Sequence, residues 1–256
     1  MAEAKVSGGI VGKVPRVARI LAWTGLALAA GCGVAALLGG LGSRWGWWNF
    51  GLGIKVLGIA TLTDLAAVLL TLIGSILASR AGPHSALIAG LLGLGFSLVV
   101  AGPPLYLYRV ATSVPAIHDL TTDAADPPRF VAVLALRQPG DNSLDYTARV
   151  AAEQKKGYPD LARMMLAVPP AAAFERALAA ARAMGWEIVA SAPGEGRVEA
   201  TDTTTLFGFK DDVVIRVAPS GSGSRVDVRS ASRVGQSDIG VNAKRIRAYL
   251  AKLASG

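Results

Sequence analysis

The chain has 256 residues, 52% of them hydrophobic, and its mean hydropathy is positive, which is unusual for a water-soluble protein of this length. The net charge is +8, but residues 1–110 hold eight of the 26 basic groups and only two of the 18 acidic ones, Glu3 and Asp64. Basic excess that flanks apolar runs is what the positive-inside rule produces, so it excludes a nucleic-acid partner rather than suggesting one. One cysteine, Cys32, and two histidines, His84 and His118, exclude a disulfide framework and a thiolate metal site. No metal and no cofactor is expected.

Three apolar runs come first, over residues 17–41, 52–78 and 85–108. A bilayer core takes about 20 helical residues, so each run is long enough to cross it. Lys5, Lys13, Arg16 and Arg19 precede or open the first run, and Arg80 lies between the second and third. That pattern places the N-terminus in the cytoplasm and, after three crossings, the rest of the chain in the periplasm of a bacterial inner membrane. The connection Ser43-Arg-Trp-Gly-Trp-Trp-Asn-Phe50 has the tryptophans of an interfacial belt. A rival reading of the first run is a lipoprotein signal ending in Leu28-Ala-Ala-Gly-Cys32, although the residues after Cys32 stay apolar.

Small residues recur every four positions at Gly25, Ala29 and Gly33, and again at Ala89, Gly93 and Ser97, a spacing that lets helices approach closely. In the second run Asp64, Ala67, Thr71, Ser75 and Ala78 share one face, which is expected to turn inward. An ionisable group inside a bilayer is a functional candidate, so Asp64 is singled out. The alternative is an Asp hydrogen-bonded to Ser or Thr neighbours that fixes helix contacts.

The character changes at residue 111. Residues 111–168 read as a Pro-rich linker and the start of a soluble domain, with Pro115, Pro127, Pro128 and Pro139 breaking any long element. Residues 130–136 are expected as a short strand and 145–156 as a short helix. Residues 169–256 are expected as the α+β core. A helix opens at Pro169-Pro170 and ends at Gly185. Strands follow at 186–190, 197–203, 213–217 and 225–230, with hairpin turns at 193–196 and 219–224. A last helix covers about 240–253, capped by Ser237 or Asp238. The expected fold is three transmembrane helices plus a small α+β domain, an antiparallel four-stranded sheet with helices on one face.

Alternation along the strands sends Val213, Ile215, Val217, Val226 and Val228 toward the helices. Asp212, Arg216, Arg225, Asp227 and Arg229 then point the other way, joined by Glu199 and Thr201, to make a polar face of mixed sign open to water or a partner. The candidate ligand or partner surface is Lys210, Asp211, Asp212, Arg216, Arg229, Arg233 and Asp238. Asp211 and Asp212 are adjacent in a strand and so point to opposite sides, a poor arrangement for paired-carboxylate catalysis. There is no phosphate loop, nucleophile elbow or HExxH sequence.

Several blocks carry a resemblance. Ile117-His-Asp-Leu-Thr-Thr-Asp123 with Asp126-Pro-Pro-Arg-Phe130, Gly157-Tyr-Pro-Asp160, Val198-Glu-Ala-Thr-Asp-Thr203, Phe207-Gly-Phe-Lys-Asp-Asp-Val213 and Arg229-Ser-Ala-Ser-Arg-Val-Gly-Gln-Ser-Asp238 occur in order. Together they resemble the domain-of-unknown-function family 1499 over roughly residues 113–254. The resemblance implies no established activity. The expected function is a non-enzymatic envelope module in contact with the lipid bilayer and binding an envelope protein or a lipid-like ligand. The alternative is a hydrolase or transferase using Lys210–Asp212 and the 229–238 segment.

Overall fold

The computed structural model describes residues 13–255; Glu3 and Lys5, one of the groups expected to set orientation, lie outside them. The chain forms two compact units. One holds the three long helices together with Leu206–Gly208, and the other holds Arg109–Thr205 and the chain from Phe209 onward.

In the first unit α1 spans Val14–Arg44, α2 Phe50–Ala81 and α3 His84–Ala111. All three are long and apolar enough to cross a membrane. Pro15 lies in the first turn of α1, where a missing N–H costs nothing. α2 is capped by Asn49, whose side chain accepts a hydrogen bond from the Leu52 N–H. The small-residue stripes are buried as expected: Gly25, Ala29 and Gly33 on α1, and Ala89, Gly93 and Ser97 on α3. Close approach requires them. A methyl group added at Gly93 would lie 2.3 Å from Thr71 Cγ2, and one at Gly74 2.6 Å from the Ala22 nitrogen. The α2 stripe also turns inward, with Asp64, Ala67 and Thr71 fully buried. α1 runs unbroken through Cys32, which is buried in mid-helix.

The second unit is an antiparallel sheet with helices on one face, and it has six strands rather than four. These are β1 (Asp119–Thr121), β2 (Met164–Leu166), β3 (Glu187–Ala192), β4 (Arg197–Thr203), β5 (Lys210–Ser220) and β6 (Gly223–Ser232). Their order is β1-β6-β5-β4-β3, with β2 pairing the other end of β6. The two extra strands are three residues long and come from the stretch read as a linker. That is too short for a visible period, and they exist because β6 offers them a free edge. β5 and β6 also extend beyond their expected limits, meeting in the tight turn between Ser220 and Gly223.

Three further helices complete the unit: α4 (Ala148–Gly157), α5 (Pro170–Ala183) and α6 (Val241–Ser255). The main core lies between the sheet and α5 and α6. Val213, Ile215, Val217, Val226 and Val228 pack there with Phe174, Leu178, Ile246 and Tyr249. These four valines and one isoleucine are those the alternation assigned to the helices.

The expected strand at 130–136 is instead a 3-10 turn, Ala132–Leu136. Its physical cause is Glu199 beneath it. That carboxylate accepts hydrogen bonds from the N–H groups of Val131, Ala132 and Val133 at 2.9 to 3.0 Å. Three successive N–H groups converging on one anion need a turn, and they cannot do so from a strand. Val133 completes the anchor by packing with Phe130, Val214 and Ala231 in a second, smaller core.

Candidate functional site

The face expected to be open to water is not. Asp212, Asp227 and Glu199 are fully buried, and Arg229 and Arg233 are 5% and 7% exposed. The segment between β1 and α4 lies over them, and the covering is made by hydrogen bonds from strand side chains to its backbone. Arg229 donates to the carbonyls of Pro128 and Leu144 and Arg233 to that of Leu136. A charged row is buried at least cost when each charge is paired and its remaining donors and acceptors are used, and the arrangement of partners achieves nearly all of this.

Arg229 holds both oxygens of Asp119, at 2.6 and 3.0 Å. Its guanidinium lies over the rings of Phe130 and Tyr146, 5.1 and 5.7 Å from their centroids, which favours a cation on the ring faces. Burial and the charge of Asp119 push the Tyr146 hydroxyl up to about 12. Asp212 is gripped by Arg137 at 2.6 Å and by Arg233 at 2.8 Å, with Thr201 donating to it at 2.9 Å. Asp227 receives Arg216, which also reaches Asp123 and Asp126 at 3.0 and 2.8 Å. Arg163 reinforces the group from β2's side, 2.8 Å from Asp123. The second oxygen of Asp227 and the Arg225 Nε are the buried polar atoms of this cluster without a hydrogen bond.

Asp211 turns to the opposite side from Asp212, as adjacent strand residues must. It meets Arg245 of α6 at 2.6 Å, and Asp202 meets the same guanidinium at 2.8 Å. Asn242 ties this end together, accepting from Ser230 and donating to Ser232 and to the His118 carbonyl. Asp238 caps α6 by accepting from the Gly240 and Asn242 N–H groups, each at 2.8 Å. Burial pushes its carboxyl above the ordinary aspartate range; those two N–H groups oppose the rise and Asp211 adds to it. Between the cap and the helix, Ile239 takes a left-handed backbone angle, φ +53, a strained state for a β-branched residue. Ser237 Oγ holds it by accepting from its N–H.

Of the seven residues singled out, the structure brings Asp212 and Arg233 into direct contact, gives Asp211, Arg216 and Arg229 ion-pair partners from outside the set, and uses Asp238 as the cap of α6. Lys210 is exposed at the start of β5. The partners Asp119, Asp123, Arg137 and Arg245 were missed. The available signal was the acidic run Asp119–Asp126, whose charge complements the arginines of β5 and β6.

A shallow groove of about 300 Å³ opens beside this buried network. Arg129, Arg197 and Arg216 line it with Asp126, Glu195 and Val131. Arg197 is held by Glu195 at 2.8 Å and by Glu199, whereas Arg129 is exposed and has no ion pair or hydrogen bond from its side chain among the described residues. In the helical unit Ser97 donates to Asp64 Oδ1 at 3.0 Å, and the other oxygen of Asp64 is buried without a partner. Among the described residues no group of His, Cys, Asp and Glu is arranged to hold a metal.

Three apolar helices followed by a charge-bridged α+β domain define a class: a membrane-anchored protein with a globular appendage. Residues 119–253 match the family described as "Protein of unknown function (DUF1499)", which is more than half of the chain, and the protein belongs to that family. No curated protein matches it.

Proposed function

We propose that the protein is a non-enzymatic envelope module of a bacterial inner membrane. In this reading the N-terminus is cytoplasmic, and the α+β domain stands in the periplasm and binds a lipid-like ligand or a partner protein. The observation that supports it is the division of labour among the charges. The carboxylates Glu199, Asp212 and Asp227 on the covered face of the sheet are committed to arginines and backbone N–H groups inside the fold, which leaves none of them poised as a nucleophile or general base. Beside them the groove presents charge to solvent: Arg129, without an ion pair among the described residues, stands with Asp126 and Glu195, whose side chains are exposed. A site of mixed sign beside Val131 suits a zwitterionic headgroup. The alternative hydrolase or transferase has less support, because Asp211 and Asp212 serve opposite faces. Orientation is supported by Lys13, Arg16, Arg19 and Arg80 at one end of the helices, with Trp45 and Trp47, both more than half exposed, at the other.

The test is native mass spectrometry of the full chain after gentle membrane extraction. A co-purifying lipid or protein is expected with the native chain. It should be lost from Arg129→Glu, a surface change that leaves thermal stability unaltered. Arg129→Glu retaining the ligand, or a native chain that carries none, would contradict the reading.

A further inference from the structure

We propose that Arg163 and Arg225 form a clamp that takes a phosphate group at the less covered end of the charged sheet face. Neither arginine lines the groove, and the inference is independent of any ligand there. The floor of the clamp is laid out by β5, β6 and β2. Arg216 lies opposite Asp227, and Ala218 and Met165 lie on either side of Arg225. Two-residue alternation puts both rows on one face. Arg163, the residue before β2, approaches Asp227 from the side away from Arg216. Its Nε stands 3.7 Å from one oxygen of Asp227, and the Nε of Arg225 stands 3.6 Å from the other. Two guanidinium groups are thus drawn together over one carboxylate. The covering found over Asp212 and Arg229 is incomplete here. The side chains of Arg163 and Arg225 are 40% and 30% exposed, and Met165 is 56% exposed.

Charge and hydrogen bonding both leave this pair with capacity to spare. The guanidinium groups of Arg163, Arg216 and Arg225 surround two buried carboxylates, Asp123 and Asp227. The third acid, Asp126, is exposed and meets Arg216 alone. Positive charge is therefore in surplus at the Arg225 end. Arg216, Arg229 and Arg233 each commit their forks to a carboxylate. Arg225 makes no side-chain hydrogen bond among the described residues, and its Nε is buried without a partner. An unused donor beside surplus positive charge is a chemistry that an anion satisfies. The number of donors selects the anion. One guanidinium fork matches two oxygens, so two forks exceed what a carboxylate can accept, whereas a phosphate monoester presents three oxygens. Met165 and Ala218, flanking Arg225, offer apolar contact to the organic part of such an ester.

The methionines, Met1, Met164, Met165 and Met184, are few enough for isotope-labelled methyl groups to read the site by NMR in the full chain in neutral detergent, with Met165→Leu assigning its signal. Inorganic phosphate, titrated at constant ionic strength, should shift the Met165 methyl signal saturably. Met184, which caps α5 on the opposite face, should not move. Acetate should shift Met165 far less than phosphate. Arg163→Gln and Arg225→Gln should each weaken the phosphate response about tenfold or more, and Arg225→Lys should recover only part. Arg216 stays on Asp227 in these variants, and an unchanged Met184 signal verifies their fold. Nanodiscs of phosphatidylcholine with or without phosphatidic acid separate the two sources of the group. A Met165 signal shifted by phosphatidic acid identifies a lipid headgroup, and one shifted by inorganic phosphate alone identifies a free phosphate. No saturable shift from either source would overturn the inference. An equal response to acetate, or a response that survives both glutamine changes, would overturn it too.

Discussion

Arg229 illustrates how a buried charge is kept. Its guanidinium is matched to both oxygens of Asp119 and to two backbone carbonyls, and removing it would strand a carboxylate where water cannot reach. Losing one partner of such a pair typically costs about 3–5 kcal/mol. Arg229→Ala is therefore expected to lower thermal stability by that order, read as a fall in the unfolding midpoint of the detergent-solubilised chain. Arg229→Lys should recover only part, because an ammonium cannot reproduce the two-pronged contact. Asp238 gives a pH signature. Its folded carboxyl holds its proton more tightly than the unfolded one, so the contribution Asp238 makes to stability is fully present only below the ordinary aspartate range. That contribution is lost as pH rises from about 4 through the raised folded value. In Asp238→Asn that downward slope should be shallower, while the loss of one N–H acceptor at the α6 cap lowers stability at all pH values. Unfolding midpoints measured from pH 3 to pH 7 separate the two effects.

At the level of elements, the parts readable beforehand were those written as a period. Two-residue alternation in β5 and β6 identified the core-facing side chains, and four-residue spacing identified the inward faces of α1, α2 and α3. What covers the second face of the sheet was not readable. The segment over it has no repeat, and it is held by side chain to backbone contacts between residues more than 60 positions apart, such as Glu199 with Val131. The apolar run 130–136 looked like a strand because local propensity says nothing about a distant carboxylate. Glu199→Gln should test this anchor. With one carbonyl oxygen in place of a carboxylate it can satisfy fewer of the three N–H groups, so amide exchange of Val131, Ala132 and Val133 should accelerate while that of β5 stays slow. Unchanged exchange at those three positions would show that the turn forms without the anchor. In the helical unit, Gly93→Val should disrupt the packing of α3 on α2 at Thr71, seen as loss of folded chain in detergent. Asp64→Asn, which keeps the Ser97 hydrogen bond, is expected to assemble normally. If a stably assembled Asn variant nevertheless lost function, Asp64 would be more than a packing residue.

On the scale of the whole molecule, three helices long and apolar enough to cross a membrane precede a domain whose sheet buries a row of ion pairs and whose proposed ligand site is a groove beside them. The proposed envelope-facing role requires that the domain lie on the side of the membrane opposite the N-terminus. The positive-inside argument for that is statistical, with Arg44, Lys55 and Arg109 weighing against Lys13, Arg16, Arg19 and Arg80. The direct measurement is a pair of reporters joined after Gly256, one active only in the periplasm and one only in the cytoplasm. The expected result is activity from the periplasmic reporter alone. Activity from the cytoplasmic reporter alone would contradict the topology and with it the proposal of an envelope-facing binding module.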